Sequence, residues 1–231
     1  MASSYNEGLL LKWKTVAQWT QYIELDIQID YQSSTATMRI PYVPSPPPTS
    51  SPEEESIVAA IAARRYPRSI QPLDLALLHS PHVAAGWNSF VGAVRTKTSL
   101  SDDLRELAIC RIAVVNRAWY EWMHHAPLAI KGGISAASME EIRKNGPLAR
   151  SQRPEGFTDK QWAVCVATDE MTRSVQVANN TFDWLKSLFG HQEVVEIVAT
   201  VACYNCVSRF LVALDVGERN HTTPEELPMS I

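Results

Sequence analysis

The sequence predicts an all-α protein, a bundle of about seven to nine helices, and three observations support this fold class. Helix-start residues at Ser51, Ser101 and Thr158 are each followed by apolar residues at helical spacing. Short stretches rich in Gly, Pro and Ser separate these periodic runs. No convincing alternation of apolar and polar residues, as in a half-buried strand, occurs after residue 40.

Three segments are predicted along the chain. Residues 1–50 form an N-terminal extension, expected to be poorly structured, that ends in the proline-rich linker VPSPPPTSSP. Residues 51–217 form the helical domain, which the polar stretch 145–156 divides into halves. Residues 218–231 are polar and contain prolines, so we expect a mobile tail.

The helices of the domain follow in chain order, each placed by its periodicity and its flanking turn residues. Ser51 with Pro52 and Glu54 starts the first helix, and Thr158 with Gln161 is a capping box. The predicted helical segments are 54–64, 73–78, 83–94, 102–115, 119–130, a short helix opened by Ser138, 162–173, 182–189 and 191–214.

Composition limits the class of protein. A hydrophobic content of 45% and a charged content of 20% are ordinary for a soluble globular chain. The net charge of −4 and the absence of a basic stripe argue against nucleic-acid binding. No uninterrupted apolar run reaches the length of a membrane span and no secretory signal is recognisable, so we expect a cytoplasmic protein without membrane contact.

The most informative pattern is E-x14-E-x3-H, formed by Glu106, Glu121 and His125 on apolar helical segments. Glu121 and His125 are four residues apart and therefore lie on one helix face. If the pair lies in a pocket, its pKa values shift towards the range useful for proton transfer. A solvated Glu–His pair on a helix surface is the alternative, which the flanking Trp119 and Trp122 disfavour.

The four cysteines are too few and too irregularly spaced for a disulfide framework. Cys203 and Cys206 form a C-x-x-C, but they lie inside an apolar helix and away from its N-terminus, where a thiol pKa would fall. We therefore expect both thiols to fill core space and to be dispensable for activity.

Three segments, LLHSPHVAAGWNSF (77–90), SLSDDLRELAICRIAVVNRAWYEWMHHAPLAIKGGIS (99–135) and VACYNCVSRFLVALDV (201–216), together resemble the carboxymuconolactone decarboxylase family, part of the alkylhydroperoxidase D superfamily. The resemblance covers about residues 38–217. Peroxidases of that superfamily carry E-x11-C-x2-C-x3-H, whose two cysteines fall here on Ala118 and Glu121. Thiol peroxidase chemistry at this site is therefore excluded, and the chain resembles a thiol-free branch.

The resemblance implies an all-helical fold, assembly as homotrimers or homohexamers, and decarboxylation of a small cyclic acid without metal or organic cofactor. We expect His125 to donate the proton, Glu106 to orient or charge His125, and Glu121 to be a second acid or to position substrate. The excess of apolar residues in the last helix also suggests an oligomer. The candidate substrate-binding residues are Trp87, Trp119, Tyr120, Trp122, His79 and Tyr204.

Two other functions remain open from the sequence. One is an isomerase, dehydratase or cyclase of secondary metabolism that uses the same residues. The other is a non-catalytic oligomeric protein that binds a small molecule. His124 is expected to be exposed or interfacial, whereas Arg111 either binds an anionic substrate or pairs with an acid on another helix.

Overall fold

The computed structural model describes residues 38–227, and in that range it contains α-helices and two 3₁₀ helices (Arg150–Gln152 and Pro224–Glu226) but no strand. The predicted all-α class is confirmed for these residues, and residues 1–37 of the predicted extension 1–50 lie outside them. The helices are α1 Pro52–Arg65, α2 Pro72–Leu77, α3 Pro81–Thr96, α4 Asp102–Asn116, α5 Trp119–Lys131, α6 Ala136–Arg143, α7 Asp159–Ser174, α8 Asn179–Leu188 and α9 His191–Leu214.

Hydroxyl side chains cap the starts of α1, α6 and α7, whereas Ser101 stands at the predicted N-cap of α4 without a side-chain cap hydrogen bond. The Ser51 hydroxyl accepts a hydrogen bond from the Glu54 backbone N–H at 3.2 Å, and Thr158 forms its capping box with Gln161, as predicted. The start predicted at Ser138 is wrong by one turn, because Ser135 is the cap and its hydroxyl accepts from the Ser138 N–H. Ser138 itself is buried inside α6.

Helix α4 is the centre of the fold. Its residues from Leu104 to Val114 are all buried, which requires neighbours on every side, and α4 packs against α5, α6, α7 and α9. The helix ends at Arg117, whose φ of 55° is left-handed, and Ala118 already caps α5. Because the link is so short, α5 folds back along α4 and brings their side chains together.

Two apolar clusters form the core. The main cluster surrounds α4, whereas a smaller one, made of Ile61, Leu77, Leu78 and Ala84, forms where α1 and α2 pack on α3. Leu73, Trp87 and Phe210 contact both clusters. The seam between the clusters therefore runs along α3, and the candidate site lies there.

Helix α9 is, by length and composition alone, apolar enough to cross a membrane, which the sequence reading did not expect. Within the fold it packs against α3, α4 and α7, and its buried Thr200 and Ser208 hydroxyls donate hydrogen bonds to backbone carbonyls of the same helix. A core helix passes the same test of length and composition. Less than half of its most apolar window, 44%, is buried, so α9 also presents apolar surface.

The packed body extends beyond the predicted domain of residues 51–217. Met38 is buried, and its backbone N–H donates to Glu218 Oε1 at 2.9 Å. Leu227 is buried in the main cluster. Mobility of the tail over residues 218–231 stays a prediction.

Candidate active site

The structure brings Glu106 on α4 against His125 on α5. His125 Nδ1 and Glu106 Oε2 are 2.6 Å apart, and both residues are buried. The Arg105 guanidinium donates to the other Glu106 oxygen at 3.4 Å. The buried Glu106 carboxylate therefore has two donors and the buried His125 imidazole has an acceptor, so the contact between the two helices supplies the hydrogen bonds that both groups need.

The charges of this pair follow from two opposing influences. Burial is the largest influence on the Glu106 pKa and raises it, but the interactions with His125 and with neighbouring arginines together outweigh burial, so the pKa is lowered. Burial also dominates the His125 pKa and lowers it, although Glu106 opposes this. The pair is therefore a carboxylate and a neutral imidazole whose proton lies on Nδ1, which leaves Nε2 as an acceptor.

Glu121 is the unusual group of the site. It is 2% exposed, and neither carboxyl oxygen has a hydrogen-bond partner. Burial, and secondarily the charge of Glu106, raise the Glu121 pKa well above its ordinary value, so the carboxyl favours its neutral form. Glu121 makes no hydrogen bond to His125, although the two residues lie four apart on α5, and Glu106 from α4 is the partner of the imidazole.

A cavity of about 70 Å³ adjoins these groups. Glu121, His125 and Tyr120 line it from α5 and Tyr204 from α9. The Tyr204 ring meets the His125 ring edge to face at 5.2 Å, and burial raises the Tyr204 pKa. Gly217 (φ +76°) lies against the Tyr120 ring, where any Cβ would overlap it.

The cavity rim is positively charged. Arg64 and Arg65 from α1, Asp74 from α2 and Arg95 from α3 line it, three guanidinium groups against one carboxylate. Asp74 is buried and accepts from Arg64 at 3.0 Å and from Arg65 at 2.6 Å. Burial lowers the Arg64 pKa to about 10. Arg64 and Arg65 lie in the last turn of α1, and nothing local in the sequence indicated that they border a site.

Other predicted residues lie elsewhere. Trp119 and Trp122 are buried in the main core and do not line the cavity, because their helix turns them towards other helices. His79 is exposed, with Nε2 2.7 Å from the Pro41 carbonyl. Arg111 is fully buried and pairs with Asp169 at 2.6 Å, which settles the alternative left open for it.

Two expectations on individual residues, His124 and Cys206, are corrected, and one, on Cys203, is confirmed. His124 is half-buried and lines the cavity, and burial lowers its pKa to about 4. Cys203 fills core space as expected, and burial raises its pKa to about 12. Cys206 does not, because its position on α9 faces out of the core and its thiol is exposed.

The sequence reading missed Asn88 on α3, which also lines the cavity. Its Oδ1 and the neighbouring Trp87 Nε1 are buried without hydrogen-bond partners, like both oxygens of Glu121. The available signal was a polar amide within the apolar stretch GWNSF. Within residues 38–227, no group of three or more His, Cys, Asp or Glu side chains is placed to hold a metal ion.

The model of the carboxymuconolactone decarboxylase family matches residues 81–146. This segment runs from α3 past α6 and contains Asn88, Glu106, Glu121 and His125. The matched segment does not include the rim residues of α1 and α2 or the residues of α9 that line the cavity. The chain matches no curated protein.

Similar folds occur among solved structures. The alkylhydroperoxidase AhpD core of an uncharacterized peroxidase-related protein from Ralstonia eutropha has a TM-score of 0.64 at 14% identity, over 79% of this chain and 93% of that chain. A peroxidase-related protein from Silicibacter has a TM-score of 0.60 at 15% identity, over 79% and 94% of the two chains. A variant of the debrominase Bmp8 in complex with 2,3,4-tribromopyrrole has a TM-score of 0.60 at 14% identity, over 85% and 100%. At these identities the likeness shows the AhpD-like fold.

Proposed function

We propose that this chain, whose residues 81–146 match the model of the carboxymuconolactone decarboxylase family, is a cofactor-independent acid–base lyase acting on a small carboxylic acid. The observation that carries the proposal is the buried, unpartnered carboxyl of Glu121 in a cavity that arginines also line, and burial raises the pKa of that carboxyl. Enzymes such as a debrominase share the fold, in agreement with a site that acts on small molecules.

The rim supplies the binding step. Arginine guanidinium groups present paired N–H donors that match a carboxylate, and the excess of positive charge favours an anion at the entrance. Because Glu121 and His125 are neutral, the inner wall does not repel that anion. A substrate carboxylate therefore docks towards the rim, with the carbon to be protonated facing Glu121.

Glu121 is the proton donor of the proposed reaction, whereas the sequence alone suggested His125. The substrate C–C bond to the carboxylate breaks, CO₂ leaves, and the electron pair moves into a conjugated carbonyl to give a dienolate. Glu121 then protonates the dienolate carbon and recovers a proton from water. The raised Glu121 pKa keeps the carboxyl protonated near neutral pH, which a general acid requires.

A second candidate, an isomerase, is favoured by the state of His125. With Nδ1–H donated to Glu106, the neutral imidazole keeps an acceptor at Nε2. A neutral base and a neutral acid on one cavity can move a proton between two substrate carbons. This reaction retains the carboxylate that decarboxylation releases, so the products differ.

The test is an activity assay on small cyclic β-keto acids and unsaturated lactone acids. Carbon-13 NMR follows the carboxyl carbon, and deuterium uptake from D₂O reports protonation at carbon. We expect CO₂ release from the wild type, and a rate about 10²–10⁴-fold lower for Glu121→Gln, because an amide cannot act as a general acid. His125→Gln should also lose most turnover.

Glu155→Gln is the matched control, since Glu155 is exposed in a loop away from the cavity. Wild-type turnover by both Glu121→Gln and His125→Gln would overturn the proposal. Proton exchange without CO₂ release would establish the isomerase instead. Ligand-dependent melting without any turnover would indicate a binding protein.

A further inference from the structure

A second, apolar cavity opens beside the proposed site. This outer groove has a volume of about 280 Å³ and lies between α3 and α9, with Val83, Gly86, Phe90 and Cys206 among its walls. Val83 and Phe90 are 54% and 52% exposed, so two large apolar side chains face solvent there. The lining is almost entirely apolar, in contrast to the charged rim of the inner cavity.

The two cavities share a wall. Trp87, Val91 and Val207 line both of them. Of these, Trp87 is the largest, and its ring centroid lies 5.1 Å from that of Phe210. A ligand that passes along Trp87 would contact both compartments.

Three residues that line the inner cavity carry unpartnered polar groups. Glu121 offers a carboxyl, Asn88 an amide oxygen and Trp87 an indole N–H, all buried without hydrogen bonds in the protein. Buried polar groups without partners are unfavourable, so these atoms point to a ligand with donors and acceptors at its inner end. The outer groove offers no comparable set.

The volumes of the two cavities limit which part of the ligand each cavity can hold. An inner cavity of about 70 Å³ accommodates a carboxyl group and the few atoms next to it. Because an apolar cavity of about 150 Å³ is enough for benzene, the outer groove of about 280 Å³ has room for a ring or a short alkyl chain. We propose that the substrate is an amphipathic acid whose reacting head occupies the inner cavity and whose apolar substituent occupies the outer groove across Trp87. This inference rests on the proposed function.

The exposed thiol of Cys206 gives a direct readout, since the other cysteines of the chain are buried. Labelling of Cys206 by N-ethylmaleimide is followed by mass spectrometry in three solutions, with 4-phenylbutanoate, butanoate or 4-phenylbutylamine. We expect 4-phenylbutanoate to slow labelling about tenfold at saturation. Butanoate lacks the tail and the amine carries the wrong head, so neither should protect at the same concentration.

Equal protection by the acid and the amine would overturn the proposal, because the groove would then act independently of the charged rim. No protection by any of the three compounds would also overturn it. Labelling that is slow without ligand and accelerates on dilution would show that a second copy of the chain covers the groove, which rejects the substrate subsite.

A pair of glycine variants tests specificity. A Cβ at Gly86 or at Gly92 meets no atom within 4 Å, and both residues lie on α3, but Gly86 alone of the two lines the groove. Gly86→Leu should raise KM for phenyl-substituted acids at least tenfold more than for short acids, whereas Gly92→Leu should change neither. Equal effects on both kinds of acid would reject the groove as a subsite. Protection of Cys206 without turnover of any acid would overturn the proposed reaction and leave the subsite standing.

Discussion

At the residue scale, two glutamates of one site are expected to respond to pH in opposite directions. The Glu121 pKa is raised on folding, so its contribution to the free energy of unfolding is complete below the unfolded pKa of 4.5 and is lost as pH rises towards the folded value. Glu121→Gln removes this loss. We therefore expect the Tm of the variant, relative to wild type, to increase between pH 5 and 8.

Glu106→Gln is the matched comparison. The Glu106 pKa is lowered on folding, so its contribution is present above the unfolded pKa of 4.5 and is lost as pH falls towards the folded value. The Tm deficit of this variant should be largest near neutral pH and should shrink on acidification. Thermal melts of both variants and the wild type across this pH range measure how each Tm difference changes with pH. The same direction of change for both variants would contradict the assigned charges.

The sequence predicted that Glu106 would act on His125 across a helix–helix contact, and the structure shows the two side chains in contact. It did not predict that Glu121, which spacing places on the same helix face as His125, has no hydrogen-bond partner. Spacing along one helix does not record which side chains of the neighbouring helix reach that face. Asn88 and the rim of Arg64, Asp74 and Arg95 were missed, because they come from helices distant in sequence and carry no motif of their own.

At the scale of elements, Arg111 ties α4 to α7 and to the end of α6. Its guanidinium donates to Asp169 and to the carbonyls of Ile142 and Lys144. Arg111→Met would leave these acceptors unpaired in the interior, so we expect a loss of about 3–5 kcal/mol in the free energy of unfolding. Unfolding in urea measures this loss relative to the wild type.

Arg153→Ala is the control, because Arg153 makes an exposed ion pair with Asp159 at 3.4 Å. Its removal should cost about 1 kcal/mol or less. If Arg111→Met lost no more stability than Arg153→Ala, the Asp169 carboxylate would be satisfied by Arg173 alone, which also donates to it.

At the scale of the whole molecule, local signals were enough for the fold class and for most helix bounds. Caps and periodicity act within a few residues, so Ser51 and Thr158 could be recognised directly. Ser135 and Ser138 carry hydroxyl groups one turn apart, so either could be the N-cap of α6 by sequence. Only the burial of Ser138 inside the fold shows that Ser135 is the cap. The seam between the two apolar clusters, and with it the position of the cavity, depends on how α1 and α2 pack on α3, which no local pattern records.

Assembly is the remaining prediction at this scale, and exposed apolar side chains on the described surface support it. Val195 on α9 is 67% exposed and Phe182 on α8 is 38% exposed, although large apolar groups favour burial. Val195 precedes Cys206 by eleven residues, about 16 Å along the helix, so an interface at Val195 leaves the outer groove open.

We expect a homotrimer or a multiple of three, as family resemblance implies, in light scattering after size exclusion at micromolar concentration. Val195→Glu should shift the mass towards smaller species, because a charge would be buried without a partner in the interface. Ser151→Glu, an exposed change in the Arg150–Gln152 3₁₀ helix, is the control and should leave the mass unchanged. A monomeric wild type would contradict the assembly, whereas an unchanged mass for Val195→Glu would place the interface on another surface.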